Sequence, residues 1–221
     1  VAGGTLILVP RFSQYEILKL IHREKPTLMP GVPTLYIAII NAPDLHKYDL
    51  SSIRVCISGA APLPLEVQNR FEALTGGRLR EGYGLTETSP VTHCNPIYGR
   101  SKPGSIGLPF PGTEAKIVDL VDPAVELPPG EIGQLAIQGP QVMKEYLNQP
   151  EETAEVFHEG WFLTGDIGKM DEEGYFYIVD RKKDMIIAGG YNIFPREIEE
   201  LLYSHPKIKE ACAAGIPHGY R

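Results

Sequence analysis

Apolar residues fall into two rhythms along the first hundred positions. Short continuous runs at 5–9 (TLILV), 27–29 (TLM, ended by Pro30) and 53–57 (IRVCI) read as strands buried on both faces. Between them the apolar positions recur at helical spacing. Ile17, Leu20 and Ile21 follow a Ser13 cap, and Leu35, Tyr36, Ile39 and Ile40 follow Pro33 and stop at Asn41 and Pro43. Leu65, Phe71 and Leu74 mark one face of a helix over about 64–74, which Gly76-Gly77 ends. A strand at 78–80 closes this part. Strand and helix alternating at this spacing predict an α/β fold with a doubly wound, mostly parallel sheet, and in such sheets ligands bind beyond the carboxyl ends of the strands. Two small-residue loops occupy that edge: 58–62 (SGAAP) and 82–89 (GYGLTETS).

From Gly104 the pattern changes. Gly and Pro break the chain at 104, 107, 109, 111 and 112, and short strands follow at 114–118, 133–138, 161–164 and 175–179. The LPPG turn at 127–130 and a brief helix over 150–157 separate them, a texture that predicts a small barrel-like subdomain. Five consecutive charges at 180–184 (DRKKD) then mark a solvated turn where a linker is expected. Beyond it come an apolar stretch at 185–188, a Gly189-Gly190 turn, a Pro195 helix with Ile198, Leu201 and Leu202 on one face, and a strand over 208–214. The division expected is 1–106, 107–181 and 182–221. Neither terminal strand has a neighbour in sequence to build on, so the chain reads as a segment of a longer protein.

Charge and composition narrow the functions. A net charge of −7, with one short basic cluster flanked by acids, argues against a nucleic-acid binder. No apolar run approaches the roughly 20 residues of a membrane span. The three cysteines form no Cys-x-x-Cys pair, and the six histidines show no paired ligand spacing. A reducing, cytoplasmic setting without a disulfide framework or structural zinc fits that usage.

The richest stretch chemically is 81–90, EGYGLTETSP. Gly82 and Gly84 allow a tight turn and close approach to a ligand, Tyr83 offers a flat ring, and Thr86, Glu87, Thr88 and Ser89 supply hydroxyls and a carboxylate. That inventory suits a nucleotide phosphate held with a hard cation, although Gly-rich polar loops are also ordinary turns.

Four stretches, SGAAPL at 58–63, EGYGLTETSP at 81–90, WFLTGDIG at 161–168 and DRKKDMIIAGGYNIFPREIE at 180–199, resemble, in this order, the adenylate-forming enzymes. That group comprises acyl- and aryl-CoA ligases, beetle luciferases and peptide-synthetase adenylation domains. The last two stretches are most similar to bacterial long-chain fatty acyl-CoA ligases. The resemblance implies the C-terminal part of the large adenylate-forming domain, with its parallel sheet and barrel-like subdomain, followed by the start of the small α+β C-terminal domain. It also implies an AMP-forming acid–thiol ligase that joins a carboxylic acid to ATP and then transfers the acyl group to coenzyme A.

The roles implied are specific. Thr86 is similar to the residue that hydrogen-bonds the α-phosphate, and Glu87 to the one that holds Mg²⁺, an ion usually bound through one carboxylate and substrate phosphates. Tyr83 would stack on adenine, with Gly59 and Ala60 walling the other side. Ser58, Ala61, Pro62, Glu81, Gly82 and Gly84 complete the two loops. Asp166 resembles the ribose ligand, with a Gly-Asp turn as the alternative. Arg181 would reach ribose or phosphate, or else pair with Asp180 or Asp184 at the surface. Ile178 is placed beside the nucleotide, while its strand pattern also reads as core, like Trp161 and Phe176. Lys183 matches the hinge about which the C-terminal domain turns, and Gly189 and Gly190 belong to a loop that approaches the pantetheine tunnel.

Two family elements fall outside these residues: the Ser/Thr/Gly-rich loop that grips the β- and γ-phosphates, and the catalytic lysine near the C-terminus. Ile187 stands where some relatives carry a lysine. The 221-residue chain alone is therefore expected not to adenylate. Aryl- or short-chain ligases, an adenylation domain that loads a carrier protein, and a noncatalytic nucleotide-binding domain are the competing readings. The partners expected are ATP, a fatty acid and CoA. Peripheral membrane contact through a lipid-partitioning substrate, and a homodimer, are left open.

Overall fold

Two compact units divide the chain. The first comprises 1–83 and 95–104, the second 84–94 and 105–221. The structure, a computed structural model, describes residues 3–188, 191–203, 205, 207–208 and 211–216.

In the first unit, three strands, β1 (Leu28–Gly31), β2 (Val55–Ser58) and β3 (Arg78–Gly84), lie side by side in that order and run parallel. Leu28 pairs with Val55, and Val55 with Arg78. Pro30 sits within β1, at the sheet edge, where a missing N–H costs no ladder bond. Three helices supply the core: α1 (Gln14–Glu24), α2 (Pro33–Ile40) and α3 (Leu65–Thr75). Ser13 caps α1, accepting the Glu16 N–H at 3.4 Å. Ile17, Leu18, Ile21, Tyr36, Ile39, Phe71 and Leu79 join in one buried cluster. The Tyr36 ring meets Phe71 edge-on at 5.0 Å, and its hydroxyl lies 2.9 Å from the Met29 carbonyl and 3.1 Å from that of Ile57, on adjacent strands. Arg80, nearly fully buried, is held by Glu72 of α3, whose carboxylate also accepts the Leu79 N–H at 2.8 Å.

The second unit is built on an antiparallel sheet in the order β10 (Phe176–Arg181), β9 (Trp161–Met170), β7 (Gly133–Gln138) and β6 (Glu114–Val118). The short β8 (Phe157–His158) pairs with β9, following α4 (Pro150–Val156). Leu135, Ala136, Ile137, Phe162, Ile167 and Phe176 form its buried centre. A two-stranded pair joins β4 (Val91–Cys94) to β5 (Leu108–Pro109), and a hairpin joins β11 (Ile186–Ala188) to β12 (Tyr191–Ile193), ahead of α5 (Pro195–Tyr203).

Several expectations are corrected. Residues 5–9 form no strand, and Leu6 and Leu8 are exposed, because an apolar run becomes a strand only where a neighbour takes its backbone hydrogen bonds. The buried stripe of α3 is Val67, Phe71 and Thr75, spaced by one turn each; Leu65 and Leu74 face outward. On α1 it is Leu18, not Leu20, that is buried with Ile17 and Ile21. β3 continues through Gly84, so 81–84 is strand where a loop was expected, and β9 continues to Met170, so Gly165 and Asp166 lie inside a strand. Ile198, Leu201 and Leu202 of α5 are exposed; the buried anchors are Phe194 and Pro195. Residues 208 and 211–214 form no strand, and the rest of that expected element lies outside the described residues.

Candidate functional site

The expected site residues divide between the two units. In the first, Ser58 ends β2 and pairs in register with Glu81 of β3, at the carboxyl edge where ligands of parallel sheets bind. Ser58 is fully buried, and its Oγ has no hydrogen-bond partner among the described residues. The Gly59 N–H donates to the Gly31 carbonyl at 3.1 Å, and a Cβ at Gly59 would lie 3.6 Å from the Gly82 carbonyl oxygen. The two motif segments are therefore adjacent: 58–59 beside 81–82. Ala60, two residues past the end of β2, holds φ of +67°, a left-handed conformation that costs a residue with a Cβ about 1–2 kcal/mol. Ala61 and Pro62 are exposed, Gly82 is buried, and Glu81 and Tyr83 are half-buried. The Glu81 carbonyl accepts the Asn95 N–H at 3.0 Å.

In the second unit the segment after Gly84 closes into a 3₁₀ turn over Thr86–Thr88. The Leu85 N–H donates to the Pro90 carbonyl at 3.0 Å, and the Thr88 hydroxyl reaches the same carbonyl. These bonds draw the backbone so close that a Cβ at Gly84 would sit 1.8 Å from the Pro90 oxygen. Close approach, not a left-handed turn, is what requires glycine there. Thr86 is exposed at the turn, and Glu87 is half-buried. The Glu87 carboxylate accepts the Tyr146 hydroxyl on Oε1 at 2.8 Å, and its backbone carbonyl accepts the Met143 N–H at 2.7 Å. Tyr146 and Met143 are the site neighbours that sequence reasoning missed: they lie far along the chain, within GPQVMKEYLNQPEET, and no spacing rule links them to Glu87. Burial and the adjacent Glu87 carboxylate push the Tyr146 phenol up to about 12.

Asp166, Ile178 and Arg181 come together on neighbouring strands. Arg181 pairs in register with Asp166, and Ile178 with Gly168. A bulge between Ile178 and Asp180 shifts the alternation, so Ile178 and Arg181, three residues apart, share the face of Asp166. The Arg181 Nε lies 3.9 Å from an Asp166 oxygen, and its side chain is 64% exposed, so this pair contributes little to stability. The Thr164 hydroxyl accepts the Asp166 N–H at 3.1 Å and donates to the Leu135 carbonyl. Asp180 does not pair with Arg181 through charge; its carboxylate accepts the backbone N–H groups of Arg181 and Arg196. Lys183 is exposed in the turn after β10 and lines a cleft of about 690 Å³ with Asp184, Arg196, Glu199 and Cys212. Gly189 and Gly190 lie outside the described residues.

Among the described residues no group of three or more His, Cys, Asp or Glu gathers at one point. A metal held here would be bound by a lone carboxylate and by oxygens of a substrate. Glu87 fits that role for Mg²⁺: Tyr146 engages Oε1, and among the described residues no protein donor reaches Oε2.

The family described as AMP-binding enzyme matches residues 1–147. The chain belongs to that family. Among AMP-binding enzymes and their relatives, a long-chain-fatty-acid–CoA ligase of Bacillus subtilis is 58% identical over 220 residues, covering 99% of this chain and 39% of that protein. A feruloyl-CoA synthase of Amycolatopsis is 42% identical over 217 residues, covering 97% of this chain and 43% of its own length. Of the solved structures, ATP-bound MatB from Rhodopseudomonas palustris superposes with a TM-score of 0.87 at 38% identity, over 99% of this chain and 43% of that one. O-succinylbenzoate coenzyme A synthetase (MenE) from Bacillus subtilis, in complex with AMP, gives 0.82 at 33% identity, over 95% and 42%. The α/β fold with a parallel sheet and a curled antiparallel sheet is that of adenylate-forming enzymes. The chain spans about two fifths of the length of the curated relatives it matches. No helix among the described residues is long and apolar enough to cross a membrane.

Proposed function

We propose that the protein carrying this chain is an ATP-dependent acid–CoA ligase acting on long-chain fatty acids. The observation that carries this reading is the 58% identity with the Bacillus subtilis long-chain ligase across nearly the whole chain. In the first step the fatty carboxylate oxygen attacks the α-phosphorus, an O–P bond forms, and the bond to pyrophosphate breaks. In the second, the CoA thiol displaces AMP from the acyl carbonyl. Thr86, exposed on its turn, would donate its hydroxyl to the α-phosphate as charge builds there. Asp166 would accept the ribose hydroxyls, Arg181 would reach the same region, and the edge at 58–62 and 81–83 would receive the adenine. Glu87 would hold Mg²⁺, which when bound screens the phosphate charge. Lys183 would act as the hinge between the two steps, and its exposure suits a residue that stays solvated in both states.

An aryl-acid ligase is the second reading, favoured by the 42% identity with a feruloyl-CoA synthase. Thioester formation by the protein expressed from its own gene, measured with palmitate, ferulate and acetate, separates the two. The long-chain reading expects kcat/KM for palmitate to exceed the others by about tenfold or more; a ferulate preference moves the protein to the second reading. No ATP-dependent thioester with any acid defeats both. The 221-residue chain alone is expected to release no more pyrophosphate from ATP and palmitate than its Glu87→Gln variant.

A further inference from the structure

Glu87 is gripped at both ends by one distant loop. The Met143 N–H holds its backbone carbonyl at 2.7 Å, and the Tyr146 hydroxyl holds its carboxylate at 2.8 Å. That loop is itself tied down. The Tyr146 N–H donates to the Thr153 hydroxyl at 3.0 Å, and the same hydroxyl donates to the Gln149 carbonyl at 2.7 Å. The Gln149 N–H closes the circuit on the Tyr146 carbonyl at 3.1 Å. A glutamate on a half-exposed turn would otherwise sample several rotamers, each aiming its oxygens differently. Here a phenol anchored through the first turn of α4 selects one of them.

We propose that Tyr146 is the positioning residue of Glu87: by donating to Oε1 it fixes the carboxylate so that Oε2 is presented to the cation that accompanies the nucleotide. This rests on the reading of Glu87 as the Mg²⁺ ligand. Groups that orient a metal ligand from behind typically change metal affinity 10–100-fold when removed. A tyrosine suits the task. Its hydroxyl reaches the carboxylate from a rigid ring with few rotatable bonds.

The test is Mn²⁺ binding to the protein expressed from its own gene, in the presence of a non-hydrolysable ATP analogue, read from the electron paramagnetic resonance signal of free Mn²⁺. Tyr146→Phe keeps the ring and removes only the donor; it is expected to weaken Mn²⁺ binding about tenfold and leave metal-free binding of the analogue unchanged. In a Glu87→Gln background the same substitution is expected to add nothing. Weakening by Glu87→Gln with binding unchanged in Tyr146→Phe overturns the role of Tyr146 and leaves that of Glu87 standing. Mn²⁺ binding unaffected by Glu87→Gln removes the ligand assignment and the proposal with it. Equal losses from Tyr146→Phe in both backgrounds also overturn the proposal, since general loosening of the loop would act that way. Should Tyr146→Phe prove too unstable to titrate, Thr153→Val unties the loop and leaves the phenol in place. It is expected to weaken Mn²⁺ binding by less than the loss of the phenol donor itself would, and no loss there counts against the proposal.

Discussion

Gly84→Ala tests the geometry of the site without removing a polar group. The added Cβ would lie 1.8 Å from the Pro90 carbonyl oxygen, 2.6 Å from its carbon and 2.8 Å from the Val91 Cα. All three are backbone atoms, so no side chain can swing aside, and the two segments must part by more than an ångström. Gly84 is not among the glycines with positive φ, so the cost is steric and not conformational. Parting the segments strains the Leu85 N–H bond to the Pro90 carbonyl and the contact of the Thr88 hydroxyl with that same oxygen. Overpacking of about 1–3 kcal/mol plus roughly 1 kcal/mol for a weakened hydrogen bond gives about 2–4 kcal/mol. Gly104→Ala is the control: φ there is +79° with nothing within 4 Å, so the expected cost is the dihedral alone, about 1–2 kcal/mol. Urea unfolding measures both, and hydrogen exchange read by mass spectrometry locates them. Gly84→Ala should accelerate exchange of the Leu85 and Thr88 amides, and Gly104→Ala should not. An alanine at 84 within about 0.5 kcal/mol of the parent, with the Leu85 amide still protected, would refute the close-approach argument.

Two further outcomes follow from burial. Burial pushes the Cys56 thiol up to about 12, whereas Cys212 is exposed. An aromatic disulfide reagent at pH 8 should therefore label Cys212 in the folded protein and Cys56 only on denaturation; rapid labelling of Cys56 would contradict its place in the core. His93 is fully buried, its ring 4.9 Å from Phe176 and its Nδ1 2.9 Å from the Thr92 hydroxyl, and burial pushes it down to about 3. Because the folded value lies below the unfolded one of roughly 6.5, the unfolded chain takes the proton first. Stability from this group is full above pH 6.5 and falls as pH drops, by about 1.5 kcal/mol between pH 6.5 and 5. His93→Leu should flatten that part of the stability profile, and identical slopes in variant and parent would mean that the folded imidazole is free to protonate.

How much of this was legible beforehand can be traced residue by residue. Apolar rhythm placed α1, α2, α3 and the strands around 28, 55 and 78 to within a few positions, because local propensity and burial agree there. Four motifs pointed to a nucleotide edge, and register does set Ser58 beside Glu81 and Asp166 beside Arg181. Periodicity misjudged which face of α3 is covered and whether 5–9 is a strand, since both depend on what lies alongside and not on the segment itself. Gly84 is a further case. Pattern revealed that a small residue was needed, but only the fold decided that the Pro90 carbonyl is what excludes a side chain. The clearest division is at Glu87. A carboxylate in a Gly- and Thr-rich stretch suggests a cation by its chemistry alone, and that much belongs to the sequence. Which of its oxygens is held, and by what, depends on a loop 59 residues along the chain that the fold of the second unit brings back to it, with the Tyr146 hydroxyl at 2.8 Å; a contact set at long range leaves no trace in local spacing.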